Sequence, residues 1–180
     1  MSQHVVLLRG VSAAGGRQVA AEDISALLVE LGFADVRPGP KAGELVLGSP
    51  ELTGPDLQAR IETALMERFS LRTDVHARTA SAWRAMVAAN PYAEFAANDP
   101  GWTTVFFLKD TPDKKAVGAL RAALRGRDQL RAESRQVYAI QPDGPRGSTL
   151  TSALVEKTLG ARVTGRPWTT ILALETLLEA

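Results

Sequence analysis

The apolar positions of this chain fall into two series, each passing through the same order of periodicities. Residues 5–8, Val-Val-Leu-Leu, form an unbroken apolar run, too short for a helix and β-branched at its start, and read as a buried strand. Ile24, Leu27, Leu28 and Leu31 recur at helical spacing, and Gly32 offers a left-handed stop. Val36-Arg37 and Leu45-Val46-Leu47 flank a Pro- and Gly-rich stretch, 38–43, which predicts a hairpin with a loose connection. Thr53 is placed to cap a second helix, with Pro55 in its first turn and Asp56 three residues after the cap. Leu57, Ile61, Ala64, Leu65 and Arg68 share one face of it, the Arg68 stem lying along the edge of the core. Residues 73–78 alternate around Val75 and Ala77 as a strand. Ser81 then caps a short helix carrying Trp83, Met86 and Val87, which Asn90-Pro91 ends.

A turn-rich connection, 92–101, leads to the second series. Residues 103–108 are a strong strand, and Thr111-Pro112-Asp113 opens a helix with Val117, Leu120 and Leu124 on one side. Residues 130–132 and 136–140 pair as a second hairpin. Residues 142–147 are a loop, Ser148 or Thr149 caps a helix with Leu150, Leu154, Val155 and Leu159, and Gly160 closes it. A short strand at 161–164 precedes a last helix from about Trp168, which buries Ile171, Leu174 and Leu178.

Both series run strand, helix, two-stranded hairpin, helix, strand, helix. Their ends also match locally, because Thr79-Ala80 precedes Trp83 by the spacing at which Thr164-Gly165 precedes Trp168. The expectation is an α+β fold, a tandem duplication of a ferredoxin-like βαββαβ plait, each half with an extra terminal helix. The halves are 1–91 and 92–180, tightly associated.

Composition narrows the class of protein more than its activity. With 45% hydrophobic and 23% charged residues, the chain is that of an ordinary soluble globular protein. It has no cysteine, which excludes disulfides, thiolate metal sites and cysteine nucleophiles, and is compatible with a reducing cytoplasm, the expected location. No signal peptide is recognised at the start, and no window approaches the apolar length that spans a bilayer, so no membrane partner is expected. The net charge is +1. Residues 1–79 carry 8 Lys/Arg against 10 Asp/Glu, and residues 80–180 carry 13 against 10. The excess lies mainly between Lys109 and Arg135, with eight basic and four acidic residues, and its simplest reading is a solvated helix face.

The first strand ends at Arg9-Gly10, and a small-residue loop with Gly15, Gly16 and Arg17 follows before any helix can start. Glycines beside guanidinium groups at a strand end suit an anion. The spacing of Gly10 and Gly15 is that of a P-loop, but Gly16-Arg17-Gln18 replaces the Lys and Ser/Thr, and no helix begins there, so a true P-loop is rejected. A weaker nest of loop amides with Arg9 or Arg17 competes with a flexible turn bearing a solvated arginine. Neither His4 nor His76 has a metal-ligand partner at helical spacing, so no metal site is expected and both histidines read as structural or solvent-facing. No Gly-x-Ser-x-Gly elbow is present. Glu22-Asp23 is explained by a helix dipole. Trp83 and Trp168, which could stack on a base or sugar, read as core. No cofactor motif and no catalytic constellation is recognised, which leans away from an enzyme. Phe106 and Phe107 are adjacent, point to opposite faces and cannot form one stacking platform for RNA. Arg121 and Arg125 share a helix face, followed by Arg127 and Arg131, a modest basic stripe for nucleic acid.

Several segments together are similar to one bacterial family of unassigned function, domain of unknown function 1697. They are Leu7-Leu8-Arg9-Gly10, Gly15-Gly16 before Arg17, Leu31-Gly32-Phe33-Ala34-Asp35-Val36-Arg37, Asn90-Pro91-Tyr92 and Arg166-Pro167-Trp168-Thr169-Thr170. The resemblance covers nearly the whole chain in order and implies two related α/β halves, with no activity to carry over. The chain departs from the pattern at Ser12, where the family has Asn, and at Ala42-Gly43-Glu44, where it has Ser-Gly-Asn. It departs again at Arg166-Pro167-Trp168-Thr169-Thr170, against Arg-Asn-Trp-Asn-Thr. A ligand held by those amides in relatives would be altered or lost here. The leading expectation is a binding module for a small anionic (phosphorylated) ligand at Arg9, Gly10, Gly15, Gly16, Arg17, Arg166, Trp168 and Thr169. The alternatives are a nucleic-acid-associated protein using Arg121, Arg125, Arg127 and Arg131, and an enzyme of unrecognised mechanism. The sequence specifies no oligomeric state.

Overall fold

A computed structural model describes residues 2–179. The first part of the chain runs β1 (Ser2–Leu8), α1 (Ala21–Glu30), β2 (Ala34–Pro38), β3 (Glu44–Ser49), α2 (Gly54–Phe69), β4 (Val75–Thr79) and α3 (Ala80–Ala88). The second runs α4 (Ala93–Asn98), β5 (Thr103–Phe107), α5 (Lys114–Ala123), β6 (Gln129–Glu133), β7 (Gln136–Ile140), α6 (Ser152–Leu159), β8 (Thr164–Pro167) and α7 (Trp168–Glu179). The fold is mixed α+β, with two four-stranded antiparallel sheets ordered β2-β3-β1-β4 and β6-β7-β5-β8. The chain forms two compact units. One runs to residue 88 and takes in the residues from 172 onward, and the other is 89–171.

In the first unit Ile24, Leu27 and Leu28 of α1 and Leu57, Ile61 and Leu65 of α2 pack on Val6, Leu8, Leu45, Leu47, Val75 and Ala77. Those strand positions alternate, so they share the helix-facing side of the sheet. The other side carries Val5, Leu7, Glu44, Val46, His76 and Arg78, which are buried too. Three of those six are polar, so this face was not legible as a second core surface. The C-terminal part of α7 belongs to this unit, with Leu174 against Gly39. In the second unit Val117 and Leu120 of α5 and Val155 of α6 pack on Phe106, Leu108, Leu130, Val137 and Ala139.

Caps explain several element boundaries. Asp113 accepts the amides of Lys115 and Ala116 at 2.9 and 3.1 Å, as expected of the N-cap of α5. Thr53 precedes α2 without any side-chain cap bond. Three expected positions move. Thr79, not Ser81, holds the start of α3, accepting from Ala82 at 3.2 Å. Thr151, not Ser148 or Thr149, caps α6, accepting from Leu154 at 3.2 Å. The strand expected at 161–164 lies at Thr164–Pro167. The stretch expected as turns contains α4, a helix that buries only Ala96 and so leaves no apolar period to read.

Cross-strand register places arginines in each sheet. Val5 lies opposite Val46 and Arg78, and Val46 lies opposite Arg37, which makes one row across four strands. Val105 lies opposite Tyr138 and Arg166, and Tyr138 lies opposite Arg131.

Candidate functional site

The loop after β1 is a closed structure of its own. Ser12 bridges to Gln18, whose side-chain amide donates to the Ser12 hydroxyl at 2.5 Å. The amides of Ala13, Gly16 and Val19 donate to Arg17, Ala13 and Val11, and that of Ala14 reaches the Ser70 carbonyl. Gly15 and Gly16 both take positive φ, 79° and 80°, which the tight turn between these bonds requires. Three amides of the expected nest, those of Ala13, Ala14 and Gly16, are thus turned on the protein's own carbonyls. Arg17 is exposed, and the Arg9 amide donates to the Asp74 carbonyl at 2.9 Å.

Arg166, Trp168 and Thr169, the other expected site residues, belong to the second unit, whereas Arg9, Gly10, Gly15, Gly16 and Arg17 belong to the first. The Arg166 guanidinium folds back on its own strand, donating to the Thr164 hydroxyl at 2.7 Å and the Gly165 carbonyl at 2.8 Å. Arg78 does the same in the first unit, donating to the Ala77 carbonyl at 2.9 Å. Trp168 is buried, consistent with its reading as core, and Thr169 is exposed.

The basic stripe is reorganised. Helix α5 ends at Ala123, and Leu124 turns extended (φ −67°, ψ 147°), so Arg125 lies outside the helix and does not share a face with Arg121. Arg127 donates through Nε to Asp143 at 2.9 Å, and the two form an ion pair. What the turn breaks at Arg125 it restores elsewhere, because β6 returns alongside α5 and brings Arg131 to the same cavity as Arg121.

That cavity, about 400 Å³, is lined by Tyr92, Arg121, Leu124, Asp128, Gln129, Leu130 and Arg131. Each wall has a local cause. Asn90 is buried and its side-chain oxygen accepts the amide of Tyr92 at 2.9 Å, an Asx turn around Pro91 that sets the tyrosine. Arg121 stands in the last turn of α5, where a cation also suits the helix dipole. Arg131 stands at the middle of β6, at the sheet edge. Burial raises the Tyr92 phenol above its ordinary value of 10, while the charges of Arg131 and Arg121 and a hydrogen bond from Arg131 pull against the rise. Near neutral pH the phenol therefore keeps its proton. The one acid of the cavity, Asp128, accepts the Ser148 hydroxyl at 2.5 Å. The result is two guanidinium groups and a phenol hydroxyl on an apolar floor of Leu124 and Leu130, an arrangement able to hold an anion.

In the sequence Arg121 and Arg131 stand out only as members of a basic stripe, and Tyr92 and Gln129 do not stand out as site residues. The available signal was Asn90-Pro91-Tyr92, a segment fixed by its own Asx turn just ahead of a basic helix–strand pair.

A family model described as "Protein of unknown function (DUF1697)" matches residues 1–138, which take in every residue lining the cavity. The chain belongs to this family. Its fold is similar to that of the conserved bacterial protein SP0830 from Streptococcus pneumoniae, with a TM-score of 0.76 and 16% identity over 98% of each chain. No curated protein matches the sequence. Among the described residues of this DUF1697 protein, no helix is long and apolar enough to cross a membrane.

Proposed function

We propose that this DUF1697 protein is a binding protein for a small anionic ligand, a phosphate or carboxylate compound, held in the cavity of its second unit. The observation that carries this reading is the meeting of Arg121, Arg131 and Tyr92 on one cavity. A charge-assisted hydrogen bond contributes roughly 1.5–3 kcal/mol, and each 1.4 kcal/mol is about tenfold in affinity. Removing either arginine should therefore weaken binding about tenfold or more. The test is isothermal titration of the full chain with inorganic phosphate. Arg121→Ala and Arg131→Ala should each lower affinity, and Arg17→Ala should not. Undetectable binding at low salt, or an unchanged Arg131→Ala variant, refutes the reading. With no cysteine to oxidise, the cytoplasm is the compartment in which we expect this binding to occur.

We also propose that the two sheets descend from one duplicated ferredoxin-like plait, with sequence halves 1–91 and 92–180. Matched strand orders and matched rows support it, with Arg37, Val46, Val5 and Arg78 corresponding to Arg131, Tyr138, Val105 and Arg166. The amide after each first strand's pairing also agrees, Leu8 donating to Gly43 at 2.8 Å and Leu108 to Arg135 at 2.9 Å. The repeat boundary differs from the packing boundary because the end of α7 belongs to the first unit. The test is to express 92–180 alone. As an independent plait it should give dispersed amide resonances, and a collapsed spectrum that stays collapsed when residues 172–180, which pack on the first unit, are replaced with polar ones argues against it.

A further inference from the structure

The anion cavity has a neighbour. A second cavity of about 420 Å³ is lined by Thr111, Pro112, Lys114, Val117, Arg121, Ala132 and Ser134. Arg121 lines both. The sharing follows from the local topology, because α5 runs from 114 to 123 and β6 returns from 129 to 133 beside it. Residues near the connection, Leu124, Gln129 and Leu130, line the first compartment, and those farther away, Lys114, Val117, Ala132 and Ser134, line the second. Both compartments border the α5–β6 edge and share Arg121.

The chemistry of the compartments differs. The first presents two guanidinium groups and a phenol against one carboxylate, and that carboxylate is already bonded to Ser148. A phosphate monoester carries about −1.5 to −2 at neutral pH, and so matches two guanidinium groups where a carboxylate matches one. The second compartment presents apolar Pro112, Val117 and Ala132, the hydroxyls of Thr111 and Ser134, and at its far end the exposed ammonium of Lys114. Arg121 stands seven positions after Lys114 on the helix, a rise of about 10 Å at about 1.5 Å per residue. Lysine offers only donors, so it calls for an acceptor-bearing group on the ligand.

We infer that the ligand is an organic phosphate of nucleoside-monophosphate size. Its phosphate sits among Arg121, Arg131 and Tyr92, its body crosses Arg121 onto Pro112, Val117 and Ala132, and its acceptor-bearing end reaches Lys114. This rests on the anion-binding reading and adds the direction and size of the ligand.

The test compares inorganic phosphate with adenosine 5′-monophosphate by isothermal titration of the full chain. The nucleotide should bind at least about tenfold more tightly than inorganic phosphate, the extra affinity coming from the second compartment. Thr111→Trp, at an exposed position in the wall of the second compartment, and Lys114→Ala, both outside the first compartment, should each remove most of that advantage and leave inorganic phosphate binding unchanged. Phosphate binding that depends on Arg131, with no advantage for the nucleotide or one that survives both variants, overturns the two-compartment inference and leaves the anion site intact. If neither probe binds, the anion site and the inference fall together.

Discussion

Replacing Asp113 with Ala tests how the helix bordering both compartments is held. The Asp113 carboxylate accepts two amides of the first turn of α5, from Lys115 at 2.9 Å and Ala116 at 3.1 Å. Losing an N-cap costs about 0.5–2 kcal/mol, and a negative charge at a helix N-terminus adds about 0.3–1 kcal/mol. Two good bonds at an exposed position place the expected total near 1–2 kcal/mol. Thr53 supplies the internal control: it is also exposed and also stands immediately before a helix, yet it makes no cap bond. Thr53→Ala should therefore cost no more than about 0.5 kcal/mol. Asp113→Asn keeps a capping oxygen and removes the charge, and should recover most of the loss. The assay is urea unfolding followed by tryptophan fluorescence, with hydrogen exchange of the α5 amides as the local readout, since two compact units need not unfold as one. Equal costs for Asp113→Ala and Thr53→Ala would refute the reasoning, as would an Asn variant as unstable as the Ala variant.

Other expectations follow from packing and burial. A Cβ on Gly165 would lie 3.0 and 3.1 Å from two ring carbons of Phe106, so Gly165→Ala should lower thermal stability by about 1–3 kcal/mol. Gly118, in the middle of α5 with open space around it, should behave oppositely, and Gly118→Ala should raise stability by about 0.5–1 kcal/mol in the same melts. Burial lowers the His4 pKa below its ordinary 6.5, against the hydrogen bond its Nδ1 makes with the Ser2 carbonyl. The neutral ring is thus favoured by folding. Its contribution is full above pH 6.5 and is lost as pH falls through the depressed value, so chemical unfolding midpoints should drop in acid less steeply for His4→Gln than for the parent chain.

The elements with a clean period were legible. Residues 5–8, the Ile24, Leu27 and Leu28 stripe and the helix opened by Thr111-Pro112-Asp113 all act where the sequence put them, because local pattern and tertiary packing agree there. What failed was whatever depended on distant register or on a single turn. The stripe from Arg121 to Arg125 assumed a helix that Leu124 ends two residues too soon, and the Arg127–Asp143 pair spans a loop. Matching Thr79 and Trp83 to Thr164 and Trp168 runs three residues off the strand rows, where Arg78 lies opposite Val5 in one sheet and Arg166 opposite Val105 in the other. Strand register is fixed by pairing across the sheet, and a single chain does not display it. The cavity was illegible for the same reason: Tyr92, Arg121 and Arg131 are far apart in sequence, and the turn after α5 brings two of them together.

The most direct measurement is a crystal of the full chain grown or soaked in sulfate, a stand-in for a phosphate group. The anion-site account expects tetrahedral density within hydrogen-bond distance of the Tyr92 hydroxyl and the guanidinium groups of Arg121 and Arg131, and its loss in Arg131→Ala crystals. Sulfate bound at Arg17 or elsewhere on the surface, with that cavity holding only water, would contradict it.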